Sequence, residues 1–408
     1  MSRASLPLAG IRIADFCWLG AGSYATKILA DMGADVIKIE SSARLDSLRL
    51  AAPYKEGVSG VNRSGYFADR NTSKRSITVD MKHPKALDLV RRLIEKSDIV
   101  SNNFTPGVMA KFGLGYDDVR RMRPDIIYLA MSMQGAEGPE SSYLGYGASM
   151  VSLTGLHDLS GLPDREPAGT GTNYPDHIPN PCHAAFALLA ALRHRRRTGQ
   201  GQFIDLAQIE PTVALLGPTI LDWTVNGRVQ QRQGNLHPVF APHGVYPCKG
   251  DDRWIAIAVR DAAEWFRLSE ALGRPSWAAR AEWQSDTKRR VDANEIDRHL
   301  AQETAGWDAE TLMQVLQKHE VASGVVQTAA DVIENDRQLA DREHWQEMDH
   351  AEMGRCIYNR PPFRLRNRPV NLQGPAPLLG EHTREVLRDL MNVEEEEFRQ
   401  LQTEGILR

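Results

Sequence analysis

Over the first third of the chain, short and continuously apolar runs alternate with longer stretches in which apolar residues recur every three or four positions. Runs of the first kind read as strands buried on both faces, and stretches of the second kind as helices with one apolar face. Residues 11–16 form such a run. They are followed by the small-residue turn Leu19-Gly20-Ala21-Gly22, a helical stretch to Met32 with Gly33 as its C-cap, and a second run at 36–39. That order implies a βαβ unit with parallel strands. The pattern repeats with a strand at 76–79, a helix over 84–96 and a strand at 98–101, then a short helix over 117–122 and a strand at 126–131. The alternation predicts a doubly wound (Rossmann-like) α/β domain, in which ligands bind beyond the carboxyl ends of the strands.

Periodicity weakens between Gly135 and Asn180, where Gly, Ser, Pro and Tyr accumulate around one short helix near 145–155. A stretch of this composition runs over the surface and carries function. A helix start closes it: Asn180 as cap, Pro181 at the first helical position, and residues 182–192 apolar on all sides as in a buried helix. The basic run 194–197 and Gly199 end that helix. A loop-rich segment from 226 to 250 leads into a strand at 254–259 and amphipathic helices up to His319, which predicts a second, smaller α/β domain. The tail carries a proline-punctuated loop from Pro375 and a helix from about Glu381, extended or capped by the acidic run 394–397. The expected organisation is a large α/β domain over 1–225, a small α/β domain over 226–330, and a return segment over 331–408 that completes the large domain.

Composition narrows the function classes. The chain of 408 residues is 42% hydrophobic and 25% charged with a net charge of −4, so no whole-chain field attracts nucleic acid or an anionic membrane. The first ten residues lack a signal-peptide core, and the apolar stretch 184–192 is far short of a membrane span, so a soluble cytoplasmic protein is expected. Four scattered cysteines form no C-x-x-C pair or His/Cys cluster, which predicts reduced thiols and no metal site.

One motif invites a particular reading. Gly20-Ala21-Gly22-Ser23-Tyr24-Ala25 fits G-x-G-x-x-A after a strand, and Glu40 ends the next strand where a ribose-binding acid would sit. An NAD-binding oxidoreductase would use both. The same turn serves any phosphate-bearing ligand, or plain close packing.

Five further segments, in order along nearly the whole chain, point elsewhere. They are Gly10-Ile11-Arg12-Ile13-Ala14-Asp15-Phe16 with Met32-Gly33-Ala34-Asp35-Val36-Ile37-Lys38-Ile39-Glu40; Asn71-Thr72-Ser73-Lys74-Arg75-Ser76-Ile77 with Val79-Asp80-Met81-Lys82; Asn102-Asn103-Phe104-Thr105-Pro106-Gly107 with Leu114-Gly115-Tyr116; Leu189-Ala190-Ala191-Leu192 with Arg196-Arg197-Thr198-Gly199-Gln200-Gly201-Gln202; and Leu379-Gly380-Glu381-His382-Thr383 with Glu385-Val386-Leu387. In these segments the chain resembles the class III CoA-transferase family.

The resemblance implies that Asp176, in Tyr174-Pro175-Asp176-His177, is the nucleophile, and that CoA and acyl-CoA are substrates with no permanently bound cofactor. The chemistry suits a carboxylate, whose acyl derivative is a mixed anhydride that stays activated, whereas a serine ester would be too stable to pass the acyl group on. It also implies CoA contacts at Gly20 and Ala21 in the first turn, at Arg75, Val79 and Lys82 around the strand at 76–79, at Asn103 and Phe104 after the next strand, and at Lys111. It further implies an interlocked dimer, whose partner is a second copy or a related subunit. Gly20 stands where the formyl-transferring type has glutamine, residues 143–147 lack that type's lysine and glutamate, and residues 234–238 replace its glycine-rich loop, so a bulkier acid such as a dicarboxylate or an aryl-substituted succinate is expected. The α-methylacyl-CoA racemases of the same superfamily need a histidine within 138–148, and none occurs there.

Overall fold

In the computed structural model, residues 6–367 and 369–408 are described. The first half of the chain runs β1 (Arg12–Asp15), α1 (Leu19–Asp31), β2 (Asp35–Glu40), α2 (Gly65–Arg70), β3 (Arg75–Thr78), α3 (Pro84–Glu95), β4 (Ile99–Asn102), α4 (Val108–Lys111), α5 (Tyr116–Met122), β5 (Ile127–Ala130), α6 (Gly147–Leu153), α7 (Tyr174–His177), α8 (Pro179–Thr198) and β6 (Gln202–Asp205). The strands form one parallel sheet in the order β3-β2-β1-β4-β5-β6. Ile13 lies opposite Val36 on one side and opposite Ile99 on the other. The chain therefore winds outward from β1 to β3, returns to β4, and winds the opposite way. The loops after β1 and β4 flank the resulting switch point, where such sheets open a crevice.

Successive strand residues point to opposite faces, so each strand feeds two cores. Ala14, Phe16, Ile37 and Ile77 join Leu89, Leu93 and Val119 on one face; Ile13, Val36, Ile99 and Ile127 join Leu29, Ala184 and Leu188 on the other. Helix α3 presents Ala86, Leu89, Val90, Leu93 and Ile94 to its core, the spacing of one helical face. The tail helices Thr383–Met391 and Glu395–Thr403 add Val386, Leu387, Phe398 and Leu401 to the same core. Thr383 Oγ1 accepts the Thr78 N–H at 3.0 Å, and the Ile406 carbonyl accepts the Asp80 N–H at 2.8 Å.

The described chain divides into two units. The larger comprises the described residues through His157, then Thr170–Arg228 and Gln338–Arg408; the smaller comprises Asp158–Gly169 and Val229–Arg337. The smaller unit has an antiparallel sheet of β7 (His243–Pro247), β8 (Trp254–Ala258) and β9 (Ala322–Val325), over a core containing Ile255, Trp265, Trp283 and Leu312.

Several expectations need correction. Residues 158–169 belong to the smaller unit, where the Gly161 carbonyl accepts the Gly234 N–H at 2.8 Å. A boundary at 330 would cut the helix Ala329–Glu334, which Thr328 and Asp331 cap reciprocally. The Glu394–Glu397 run opens a helix of its own instead of extending the one before it. Helix α8 starts at Pro179 after Ile178, so Asn180 is a buried helical residue and no cap. Nor is α8 buried all round: Ala184, Ala185, Leu188 and Ala191 face inward, while Phe186 is 74% exposed and Leu189 44% exposed. Strand β6 and the hairpin Trp345–His350 with Gly354–Asn359 were unforeseen, because their strands alternate weakly and carry many polar residues. Among the described residues no helix is long and apolar enough to cross a membrane.

Candidate active site

Asp176 sits on the short helix α7 and is only 5% exposed. Its Oδ2 accepts the Gly147 N–H at 3.1 Å, and its other oxygen has no hydrogen-bond donor among the described residues. Two glycines make the niche. A β-carbon on Gly20 would stand 3.0 Å from Asp176 Cβ and 3.4 Å from the Tyr66 hydroxyl; one on Gly147 would stand 2.8 Å from Asp176 Oδ2 and 2.7 Å from Asn173 Cβ. Both clearances are too short for any larger residue without displacement. Burial pushes the Asp176 carboxyl up to about 6, against the Gly147 N–H and the Arg70 charge, which both lower it.

Arg70, at the end of α2, lies over the rings of Tyr24 at 4.4 Å and Tyr66 at 5.7 Å. One guanidinium nitrogen pairs with Asp69 at 2.5 Å, and another meets His177 Nδ1. Burial, and then the Arg70 charge, push the His177 imidazole down to about 4, so at neutral pH it is uncharged and Nδ1 accepts from Arg70. The residue after Asp176 thus ties it to a cation. Nothing in the sequence marked Arg70, Tyr66, Gly147 or His177, because loops and helices far apart in the chain bring them together.

The other residues singled out from the sequence fall in four places. Asn103 and Phe104 lie at the switch point. The Asn103 side chain accepts the Trp18 N–H at 2.8 Å and donates to the Trp18 carbonyl at 2.6 Å, and Phe104 meets the Trp18 ring edge-on with centroids 5.6 Å apart. Ala21 and Val79 are core residues on opposite faces of the sheet. Lys82 and Lys111 are exposed beyond the ends of β3 and β4, and the Lys82 charge lies near enough to Asp80 to favour its ionised form. Arg75 is elsewhere. It opens β3 at the amino edge of the sheet and pairs with Asp35 at 2.7 Å and Glu385 at 3.0 Å, so it is not brought together with Asp176.

The glycine-rich turn loses its nicotinamide reading on the same evidence. Glu40 is buried and held by Arg49 at 2.8 and 2.7 Å and by the Ser76 hydroxyl at 2.7 Å, which leaves no free acid for a ribose. Gly22 serves packing, since a β-carbon there would lie 2.8 Å from Cys17 Sγ.

Comparison with known proteins bears on the chain as a whole. Residues 8–383 match the model of CoA-transferase family III. The succinate–glutarate CoA-transferase of Agrobacterium fabrum is 32% identical over 95% of this chain and 96% of its own. The alpha subunit of the succinyl-CoA–L-malate CoA-transferase of Chloroflexus aurantiacus is 31% identical over 98% and 93%. A crystal structure of a CAIB/BAIF family protein from Brucella suis superposes with a TM-score of 0.86 at 30% identity, covering 94% of this chain and 99% of that one. With its parallel sheet, its switch-point loops and a match over nearly its whole length, the chain belongs to CoA-transferase family III and is an enzyme of that family.

Proposed function

We propose that the protein moves CoA from succinyl-CoA to a dicarboxylic acid, and that Asp176 carries first the acyl group and then the CoA. The observation that carries this reading is the niche of Asp176: a buried carboxylate walled by two glycines, with one oxygen held by Gly147 and the other left without a donor among the described residues. An Asp176 oxygen attacks the thioester carbonyl and expels CoA thiolate, which leaves a mixed anhydride. The thiolate attacks the aspartyl carbonyl, frees the donor acid, and forms an aspartyl-CoA thioester. The acceptor carboxylate then expels the thiolate to give a second anhydride, and the thiolate's attack on the acceptor carbonyl releases product and restores Asp176. Every step exchanges one activated acyl bond for another, so none is strongly uphill.

The dicarboxylate follows from the named substrates of the Agrobacterium and Chloroflexus relatives. Lys82 and Lys111 offer cations for the CoA phosphates, and Asn103 and Phe104 line the crevice. The partner in an interlocked dimer, a second copy or a related subunit, would cover the apolar residues Phe186, Leu189, Trp223 and Val225, which stand exposed on α8 and the helix Gly217–Asn226. The test is trapping. With succinyl-CoA and no acceptor, hydroxylamine should modify Asp176 alone; Asp176→Ala should abolish transfer yet keep CoA binding, and Asp176→Glu should lose about a hundredfold. Labelling at another acid, or full activity in the alanine variant, would overturn the mechanism.

A further inference from the structure

The turn between β1 and α1 is held in an unusual way. Five consecutive backbone polar groups each bond to a side chain, most of them from other elements. Asp15 Oδ1 accepts the Cys17 N–H at 3.1 Å, and Lys38 Nζ donates to the Cys17 carbonyl at 2.6 Å. Asn103 clasps the Trp18 N–H and carbonyl, and Asp46 Oδ1 accepts the Leu19 N–H at 3.1 Å. Asp46 Oδ2 pairs with Lys38 Nζ at 2.9 Å, and both side chains are fully buried. Leu19 is left-handed with φ of 59°, a conformation unfavourable for a residue with a β-carbon. The next residue is Gly20, whose backbone stands against Asp176.

A buried lysine–aspartate pair is poor evidence for stability alone, because desolvating two charges offsets most of their attraction. Here the pair does something local: one carboxylate oxygen holds the N–H of the strained Leu19, and the other pairs with the ammonium that holds the Cys17 carbonyl two residues earlier. From this geometry we infer that Asp46, together with Lys38, is a positioning residue for the transfer reaction, holding the Cys17–Gly20 turn against Asp176. The inference rests on the reading of Asp176 as nucleophile.

If the clasp loosens, Gly20 retreats, water reaches Asp176, and the carboxylate ionises more easily. The groups around Asp176 are otherwise unchanged: Tyr66, Asp69 and Arg70 on α2, His177 beside it, and the Gly147 N–H. The pH dependence of kcat/KM reports ionisation in the free enzyme. Two variants of the full chain are compared with the parent: Asp46→Asn, which keeps the acceptor for Leu19 but removes the charge, and the double variant Lys38→Met/Asp46→Leu. Replacing both partners of a buried pair with apolar groups tends to preserve folding. The expected result is a fall in kcat of about tenfold or more in the double variant, with a smaller loss in Asp46→Asn and a thermal midpoint for the double variant within about 5 °C of the parent. The acidic limb of kcat/KM should move below its parental position near pH 6. A folded double variant with parental kcat and an unmoved limb would overturn the inference. So would failure of both variants to fold, which would assign the pair to stability only. Hydroxylamine labelling of parental Asp176 is read in parallel, so loss of the nucleophile reading is distinguished from loss of this one.

Discussion

Gly20 stands so close to Asp176 that a β-carbon at residue 20 would lie 3.0 Å from that of the aspartate. The approach crowds one side of the carboxylate and limits how its side chain can move. Gly20→Ala should therefore displace Asp176 by a few tenths of an ångström or more, and kcat should fall by about tenfold or more with a smaller change in the KM for acyl-CoA. Steady-state kinetics with succinyl-CoA checks this; an unchanged kcat would show that the contact does not constrain the nucleophile.

The burial of Asp176 should destabilise the fold at neutral pH. Its carboxyl titrates at about 6 in the folded chain against an ordinary value of 3.8, so between those values the folded state keeps a proton that the unfolded state gives up. Stability then falls as pH rises through that window and stays lower above it, by on the order of 2–3 kcal/mol. Asp176→Asn should melt above the parent at pH 7.5, and the two should converge below about pH 4.

Arg70 acts on the same carboxylate in the opposite sense to burial, because its charge favours the ionised form. Arg70→Met should raise the acidic limb of kcat/KM above its parental position, the reverse of the shift expected on loosening the Asp46 clasp. It should also relieve His177 of the nearby cation that holds its imidazole down. A pH–rate profile and a histidine NMR titration would each show the direction.

The two kinds of basic residue expected at the CoA site should separate experimentally. Lys82→Ala and Lys111→Ala should raise the KM for acyl-CoA, each by about tenfold or more if a charge-assisted phosphate contact is lost. Arg75→Ala should leave that KM unchanged and lower the thermal midpoint, because its partners are Asp35 and Glu385 at the other edge of the sheet. A raised KM in Arg75→Ala would return that residue to the ligand site.

The alternation of apolar runs with amphipathic stretches, set by side-chain periodicities of 2 and 3.6 residues, determined the doubly wound lobe from sequence alone. Ile13, Val36, Ile99 and Ile127 read as buried strand residues because a parallel sheet needs apolar groups on both faces. Asp176 was marked only through the resemblance to the CoA-transferase family, because an acid in a loop just before a helix carries no pattern of its own. Lys38 within the run Asp35–Glu40 was a signal that went unread: a lysine in a strand covered on both faces needs a buried anion. Which anion that is, and that Asp46 also holds Leu19, no local pattern could tell, because the pairing depends on where a loop with no periodicity of its own returns to the sheet. Arg75 and Lys82 look alike in the sequence, both beside one strand. Only the tertiary structure, by running that edge strand parallel to β2, decided that one lies at the amino edge of the sheet and the other beyond its carboxyl edge, the side on which Gly20 and Gly147 close on Asp176, glycines too small to appear in any charge or hydropathy pattern.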